Sequence, residues 1–251
     1  MRVIAKNKYI LYHADCLDAM QYIKEESIDL ILCDLPYGTT YAKWDAIIPA
    51  ELLWTFYKSI IKPDCAIVLT ASQPFTSMLI HSNPSMFRCQ WIWNKENAAN
   101  FANAKKQPLK IHEDIVVFGI NRTVYYPQMV PGKPNHIQGK NAKSNKSETR
   151  LIHKRVADNL SGLKYPKSIL YFPKHSSQCG LHPTQKPVDL MRYLIRTYSN
   201  PKQIVLDNCM GSGTTGVAAL LEGRQFIGIE KDKEYFEIAR KRIKNYRKEQ
   251  T

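Results

Sequence analysis

Two short segments far apart in the chain hold the residue types that a transfer reaction needs: Asp34-Leu35-Pro36-Tyr37 and Asp207-Asn208-Cys209-Met210-Gly211-Ser212-Gly213. The first offers a carboxylate, a rigid turn and an aromatic face. An exocyclic amine on a nucleic-acid base is a poor nucleophile because its lone pair is delocalised into the ring. Asp34 can accept one amine hydrogen and the Leu35 carbonyl the other, which localises that lone pair. Pro36 fixes the turn, and Tyr37 offers a stacking face for a base swung out of a duplex. Taken alone, the tetrapeptide reads better as a proline turn closing a strand, and its coexistence with the second segment reverses that preference.

Gly211-Ser212-Gly213-Thr214-Thr215-Gly216 matches G-x-G-x-x-G between a strand and a helix, and Glu230 lies 19 residues beyond the first glycine, at the end of the next strand. That pattern suits an adenosine-containing cofactor, with the acid accepting ribose hydroxyls. Asp207, ahead of the glycines, suits a cationic amino group better than a pyrophosphate. S-adenosylmethionine carries an ammonium, a carboxylate, a ribose and an adenine. Its carboxylate could meet backbone N–H groups around Gly213, Thr214 and Thr215, and Glu230 could take its ribose. No Gly-Lys-Ser/Thr follows the loop, which disfavours a Walker-type ATP site. The competing reading is that the glycines only turn a strand into a helix.

These residues need a sheet to position them. Apolar runs at Tyr9 to His13, Ile28 to Cys33 and Ala66 to Thr70 alternate with helix-like stretches at Leu17 to Ile23 and Glu51 to Ile61, which predicts βαβ units and a largely parallel sheet. Asp34 then arrives at a strand's carboxyl end, where such sheets bind ligands. Further strands are expected at Gln90 to Trp93 and Ile115 to Phe118, with Trp91 and Trp93 packing in the core. From Pro187 onward a helix, the strand Ile204 to Leu206, the helix Thr214 to Leu221, the strand Phe226 to Ile229 and a last helix follow. Only 21 residues follow Glu230, too few for the rest of a nucleotide-binding sheet. The remaining strands must come from the N-terminal half, so the order looks circularly permuted.

With 251 residues, 44% of them hydrophobic, the chain can bury one sizeable core carrying a large insertion. A formal charge of +14, from 36 Lys and Arg against 22 Asp and Glu, favours a polyanionic partner over mere solubility. Between 131 and 158 stand seven cations, Lys133, Lys140, Lys143, Lys146, Arg150, Lys154 and Arg155, against Glu148 and Asp158. A loop this long is either a solvated surface or a functional one, here suited to phosphates. Six cysteines without a Cys-x-x-Cys pair read as reduced core thiols. No apolar run is long enough for a signal peptide or a membrane span, so a cytoplasmic location and no membrane partner are expected.

The arrangement resembles the beta-class amino DNA methyltransferases, which act on adenine N6 or cytosine N4 and place an Asp-Pro-Pro-Tyr catalytic motif before the target-recognition region and the cofactor glycines last. His13-Ala14-Asp15-Cys16-Leu17 resembles the family's N-terminal segment, which puts Asp15 and neighbouring Cys16 in the cofactor set, Asp15 at the adenine. His182-Pro183-Thr184-Gln185-Lys186-Pro187 is similar to the segment before the helix that leads to the glycine loop, which implies that Lys186 reaches the cofactor carboxylate. Asp207, Asn208, Gly211, Gly213, Thr214, Thr215 and Glu230 complete that set. The resemblance implies an α/β, circularly permuted Rossmann-like methyltransferase fold with a mostly parallel sheet. The catalytic core would be 1–120 and 183–251, and the basic target-recognition insertion 121–182. It further implies S-adenosylmethionine as cofactor and double-stranded DNA as partner, and leaves open a homodimer and a cognate restriction endonuclease.

Leu35 departs from the family's first proline but keeps the carbonyl, and Asn208-Cys209-Met210 replaces the usual Pro-Phe-x. Asp rather than Ser at 34 tilts the target toward adenine N6, with cytosine N4 next. An RNA or protein-amide methyltransferase and a catalytically silent DNA-binding partner are the other readings. Lys43 and Trp44, just past the turn, either close over the flipped base or, for Trp44, anchor the next helix. His112-Glu113-Asp114 has no chemistry fixed by its surroundings in sequence. His175, Cys179 and His182 are spaced like three zinc ligands without a fourth, so no metal is expected.

Overall fold

The alternation of apolar and amphipathic segments becomes an alternation of strands and helices in the computed structural model of the protein, which describes residues 1–40, 45–132, 162–173 and 185–247. In chain order the elements are β1 (Arg2–Lys6), β2 (Tyr9–His13), α1 (Cys16–Met20), β3 (Ile28–Asp34), α2 (Ala50–Ile60), β4 (Ile61–Ala71), α3 (Phe75–Ser82), β5 (Phe87–Ala99) and β6 (Lys110–Phe118). There follow β7 (Val130–Pro131), β8 (Leu163–Lys164), β9 (Ile169–Tyr171), α4 (Val188–Tyr198), β10 (Ile204–Asp207), α5 (Thr214–Leu221), β11 (Gln225–Glu230) and α6 (Lys233–Lys244).

Among the described residues nine strands form one sheet in the order β1-β2-β11-β10-β3-β4-β6-β5-β9. The run from β2 to β4 is parallel throughout, β6 is antiparallel to both β4 and β5, and β9 lies parallel to β5. The last two strands of the chain, β10 and β11, thus sit between β3 and β2, as the permuted order requires. Five neighbouring strands end on one edge of the sheet, at His13, Glu230, Asp207, Asp34 and Ala71. Every acid that the sequence reading assigns to a strand end therefore lies on this edge.

Helices cover both faces, which is why β3 is almost wholly apolar. Ile31 and Cys33 pack with Leu53, Trp54 and Tyr57 of α2 and Phe75 and Leu79 of α3. Leu30 and Leu32 face the other way, toward Leu190 and Leu194 of α4, Val217 of α5 and Phe236 of α6. Besides Asp34 at its end, the exception within β3 is Asp29. Its buried carboxylate accepts from Lys62 Nζ at 2.6 Å and from the Ile204 N–H at 2.8 Å, which fixes the start of β10 against β3. Trp91 and Trp93 are buried as expected, their indole N–H groups donating to Tyr198 Oη and the Phe172 carbonyl.

The chain divides into two compact units, Met1–Tyr126 with Ser168–Thr251, and Pro127–Lys167. The smaller contains the antiparallel pair β7–β8. These boundaries are narrower than the expected insertion 121–182, because β9 pairs with β5 and so belongs to the main sheet. Lys133, Lys140, Lys143, Lys146, Arg150, Lys154 and Arg155 lie outside the described residues, as do Lys43, Trp44, His175, Cys179 and His182. Of the other cysteines, Cys16, Cys33 and Cys65 are buried free thiols and Cys209 is half-buried. Cys89 is exposed, contrary to a uniform reading as core thiols. No helix among the described residues is long and apolar enough to cross a membrane.

Candidate active site

A cavity of about 220 Å³ opens at the carboxyl edge of the sheet, far more space than a trapped water needs. Its wall brings together Asp15, Cys16, the whole Asp34-Leu35-Pro36-Tyr37 turn, Lys186, Asp207, Asn208, Gly211, Thr214, Thr215 and Glu230. Gly213 stands just behind it as the N-cap of α5, with φ +80°, and a Cβ there would lie 2.9 Å from Ala239 Cβ. Sheet register explains the meeting. Asp34 pairs with Thr70 across β3 and β4, and Asp207 and Glu230 close the next two strands.

Asp34 is held from three sides. Oδ1 accepts from Tyr37 Oη at 2.7 Å and from Thr70 Oγ1, and Oδ2 accepts from Lys186 Nζ at 2.7 Å. Tyr37 lays one ring face on Phe75, with centroids 5.3 Å apart and planes 23° from parallel. Burial, then the Asp34 charge, hold its phenol well above the ordinary range, so it stays a hydrogen-bond donor. Leu35, in the place of a proline, inserts its side chain into the core beside α2. After the turn, Asp45 accepts from the N–H groups of Gly38, Thr39 and Thr40 at 2.9, 2.9 and 2.7 Å, and these bonds with the Thr40 hydroxyl outweigh burial and hold its carboxyl below the usual range.

The cofactor side of the cavity holds the other residues that the sequence reading names. Glu230 accepts one bond on each oxygen, from the N–H groups of Gly211 at 2.9 Å and Asp232 at 2.8 Å, which leaves lone pairs for hydroxyl donors such as those of a ribose. Burial raises its carboxyl pKa, and these backbone donors oppose the rise. The first N–H groups of α5 have no side-chain cap, a setting suited to a carboxylate. Asp15 caps α1 by accepting from the Leu17 N–H at 3.0 Å, with its side chain still on the cavity wall. Asp207 is 2% exposed, and burial pushes its carboxyl up to about 7 against bonds from Thr215, the Cys209 N–H and Cys33. These groups fit the ribose, carboxylate and ammonium of S-adenosylmethionine.

Two residues of the cofactor set have protein partners that the sequence reading does not give. Lys186 is expected at the cofactor carboxylate, yet its buried ammonium bonds Asp34 and lies 3.3 Å from Glu113 Oε2. Burial pushes that ammonium down, but Asp34, Tyr37 and Glu113 overcome it and hold the pKa well above the lysine value. Asn208 lines the cavity with its carboxamide oxygen already taken by Tyr57 Oη at 2.6 Å. The departure from Pro-Phe is therefore an anchor to α2.

Sequence reasoning missed four supporting residues. Thr70 reads as an ordinary strand residue until the register sets it beside Asp34. Glu113 and Lys95 come from β6 and β5, their side chains 3.1 Å apart; Glu113 is noted in sequence only within His112-Glu113-Asp114, where nothing local fixes its chemistry. Arg242, on the last helix, is 6% exposed and donates from Nη1 to the Ser212 carbonyl at 2.8 Å, pinning the glycine loop from α6.

DNA adenine methyltransferase YhdJ of Escherichia coli (strain K12) is 28% identical over 93% of this chain and 82% of its own length. Type II methyltransferase M2.DpnII of Streptococcus pneumoniae is 26% identical, covering 95% of this chain and 90% of its own. The crystal structure of the M1.HpyAVI–SAM complex superposes with a TM-score of 0.62 at 26% identity, covering 93% of this chain and 98% of that one. The family model described as DNA methylase matches residues 28–241, and the chain belongs to that family.

Proposed function

We propose that this chain is an S-adenosylmethionine-dependent DNA methyltransferase that acts on the N6 amine of an adenine flipped out of the duplex. One observation carries the reading: the Asp34 carboxylate and the glycine loop with Glu230 open on the same cavity, so an amine held at Asp34 faces the cofactor's place. The relative YhdJ, named a DNA adenine methyltransferase, supports adenine as the target.

S-adenosylmethionine supplies an activated methyl group on a sulfonium. Glu230, Asp15 and the N–H groups at the start of α5 would hold it, and the chain's remaining work is orientation. Asp34 accepts a hydrogen of the target amine and so localises its lone pair, while Thr70 and Tyr37 keep the carboxylate from rotating away. Proximity and alignment of this kind account for much of the acceleration when the donor is already reactive. The cations between 133 and 155 grip phosphates, and other residues of the insertion 121–182 read sequence. A companion endonuclease, as the type II name of M2.DpnII suggests, and a homodimer belong to the same proposal.

The test is nucleoside mass spectrometry after incubation of the protein with unmethylated DNA and S-adenosylmethionine, beside Asp34→Ala. N6-methyladenine from wild type alone, with cofactor binding retained by the variant, is the expected result. N4-methylcytosine would move the target base. No methylated nucleoside from a cofactor-bound wild type on varied DNA would overturn the reading.

A further inference from the structure

Four charged side chains alternate in sign beside the cavity: Lys95, Glu113, Lys186 and Asp34. Lys95 Nζ is 3.1 Å from Glu113 Oε1, and Lys186 Nζ is 3.3 Å from Glu113 Oε2 and 2.7 Å from Asp34 Oδ2. The two lysines and Glu113 are mostly buried, so their charges are poorly screened. One of the three N–H groups of the Lys186 ammonium donates to Asp34 at 2.7 Å. Glu113 Oε2, although buried, makes no well-aligned hydrogen bond and meets that ammonium only as the longer, 3.3 Å arm of an ion pair. Buried carboxylate oxygens are normally well satisfied, and leaving one only partly so is costly. It is an under-filled seat for an ammonium drawn more closely to Asp34.

The substrate gives that seat a use. Asp34 already accepts from Tyr37, Thr70 and Lys186, against about four lone-pair directions on a carboxylate. The charge-assisted bond from Lys186 is the strongest competitor for an incoming neutral amine. It also sets a cation beside a nitrogen that would gain positive charge as its lone pair bonds the methyl carbon, the carbon–sulfur bond of the donor breaking with its electron pair left on a neutral thioether, until that nitrogen sheds a proton to water. Without Glu113 the four-residue group would change from neutral to a net charge of +1, which opposes that development.

We propose that Glu113 is a positioning residue for the transfer: it provides the second seat for the Lys186 ammonium, which moves from Asp34 Oδ2 to Glu113 Oε2 as the target amine takes its place on Asp34. Lys95, bonded to Oε1, holds the seat still. The inference rests on the reading of the cavity as an amine methyltransferase site, and it assigns Lys186 to the amine side instead of the cofactor carboxylate.

The experiment compares wild type, Glu113→Gln, Lys186→Met and the double variant by cofactor Kd without DNA, thermal midpoint, and kcat on unmethylated genomic DNA. Glu113→Gln should bind cofactor within about twofold of wild type and lose at least tenfold in kcat, since electrostatic preorganisation is worth that much or more. Adding Lys186→Met should restore part of that kcat, because a lysine with nowhere else to go is then removed from Asp34. Lys186→Met alone should leave cofactor affinity near wild type, a readout that stands even if Glu113→Gln does not fold. Wild-type kcat in Glu113→Gln, a double variant slower than Glu113→Gln, or a tenfold loss of cofactor affinity in Lys186→Met would each overturn the inference while leaving an active wild type as a methyltransferase. An inactive wild type would overturn the functional reading and this inference with it.

Discussion

At the scale of single residues, the site is a set of charges in a place that resists charge, and Asp207 shows the consequence most directly. Its carboxyl is raised by burial to about 7 from 3.8, so the folded protein binds this proton more tightly than the unfolded chain. The stability it contributes is fully present below about 3.8 and is lost as the pH rises through about 7. Asp207→Asn removes the titration. The variant's thermal midpoint should therefore rise relative to wild type between pH 4 and 7 and run parallel to it above, with both measured free of cofactor. A constant difference across that range would mean that Asp207 is ionised throughout. Much of this was legible beforehand: Asp34, Tyr37, Asp207 and Glu230 were each marked by residue type at a strand end. Thr70, Glu113, Lys95 and Arg242 were not, because their roles depend on which strand or helix lies alongside, and that is a property of register instead of local sequence.

At the scale of elements, the turn from β10 into α5 depends on two glycines that differ in what surrounds them. Gly211 has φ +48° and nothing within 4 Å of a built Cβ, whereas Gly213 has φ +80° and would place its Cβ 2.9 Å from Ala239 Cβ and 3.0 Å from Ala239 Cα. Left-handed backbone costs an alanine roughly 1–2 kcal/mol at either position. Only at 213 must α6 also give way, and α6 carries Arg242, which pins the loop. Gly211→Ala should lower the thermal midpoint by about 2–4 °C per kcal/mol lost, and Gly213→Ala by at least twice the Gly211→Ala shift. Equal shifts would show that α6 moves freely. The same elements explain which parts of the fold the sequence announced. β3, β10 and α5 are buried on more than one side and so carry dense apolar signals. β1 is mostly exposed and β9 is only three residues long, held by pairing with β5, so neither leaves a strong pattern.

At the scale of the whole molecule, the charge of +14 sets how the protein should meet its substrate. Binding to DNA that neutralises phosphates releases counterions, so log affinity falls linearly with log salt, by about 0.9 for each phosphate contacted. If the seven cations from Lys133 to Arg155 each met one phosphate, their share of that slope would be about −6. Replacing all seven with Gln should therefore flatten the salt dependence by about that amount, leave cofactor Kd unchanged and weaken binding across all DNA sequences alike. Fluorescence anisotropy with a labelled duplex between 50 and 300 mM salt reads the slope directly. A slope that stays the same in the seven-fold variant would place the phosphate grip elsewhere, on the remaining Lys and Arg of the chain. A slope that falls while sequence preference also disappears would mean that the same residues read bases as well as phosphates, because loss of phosphate contacts alone lowers affinity without changing the ranking of sites.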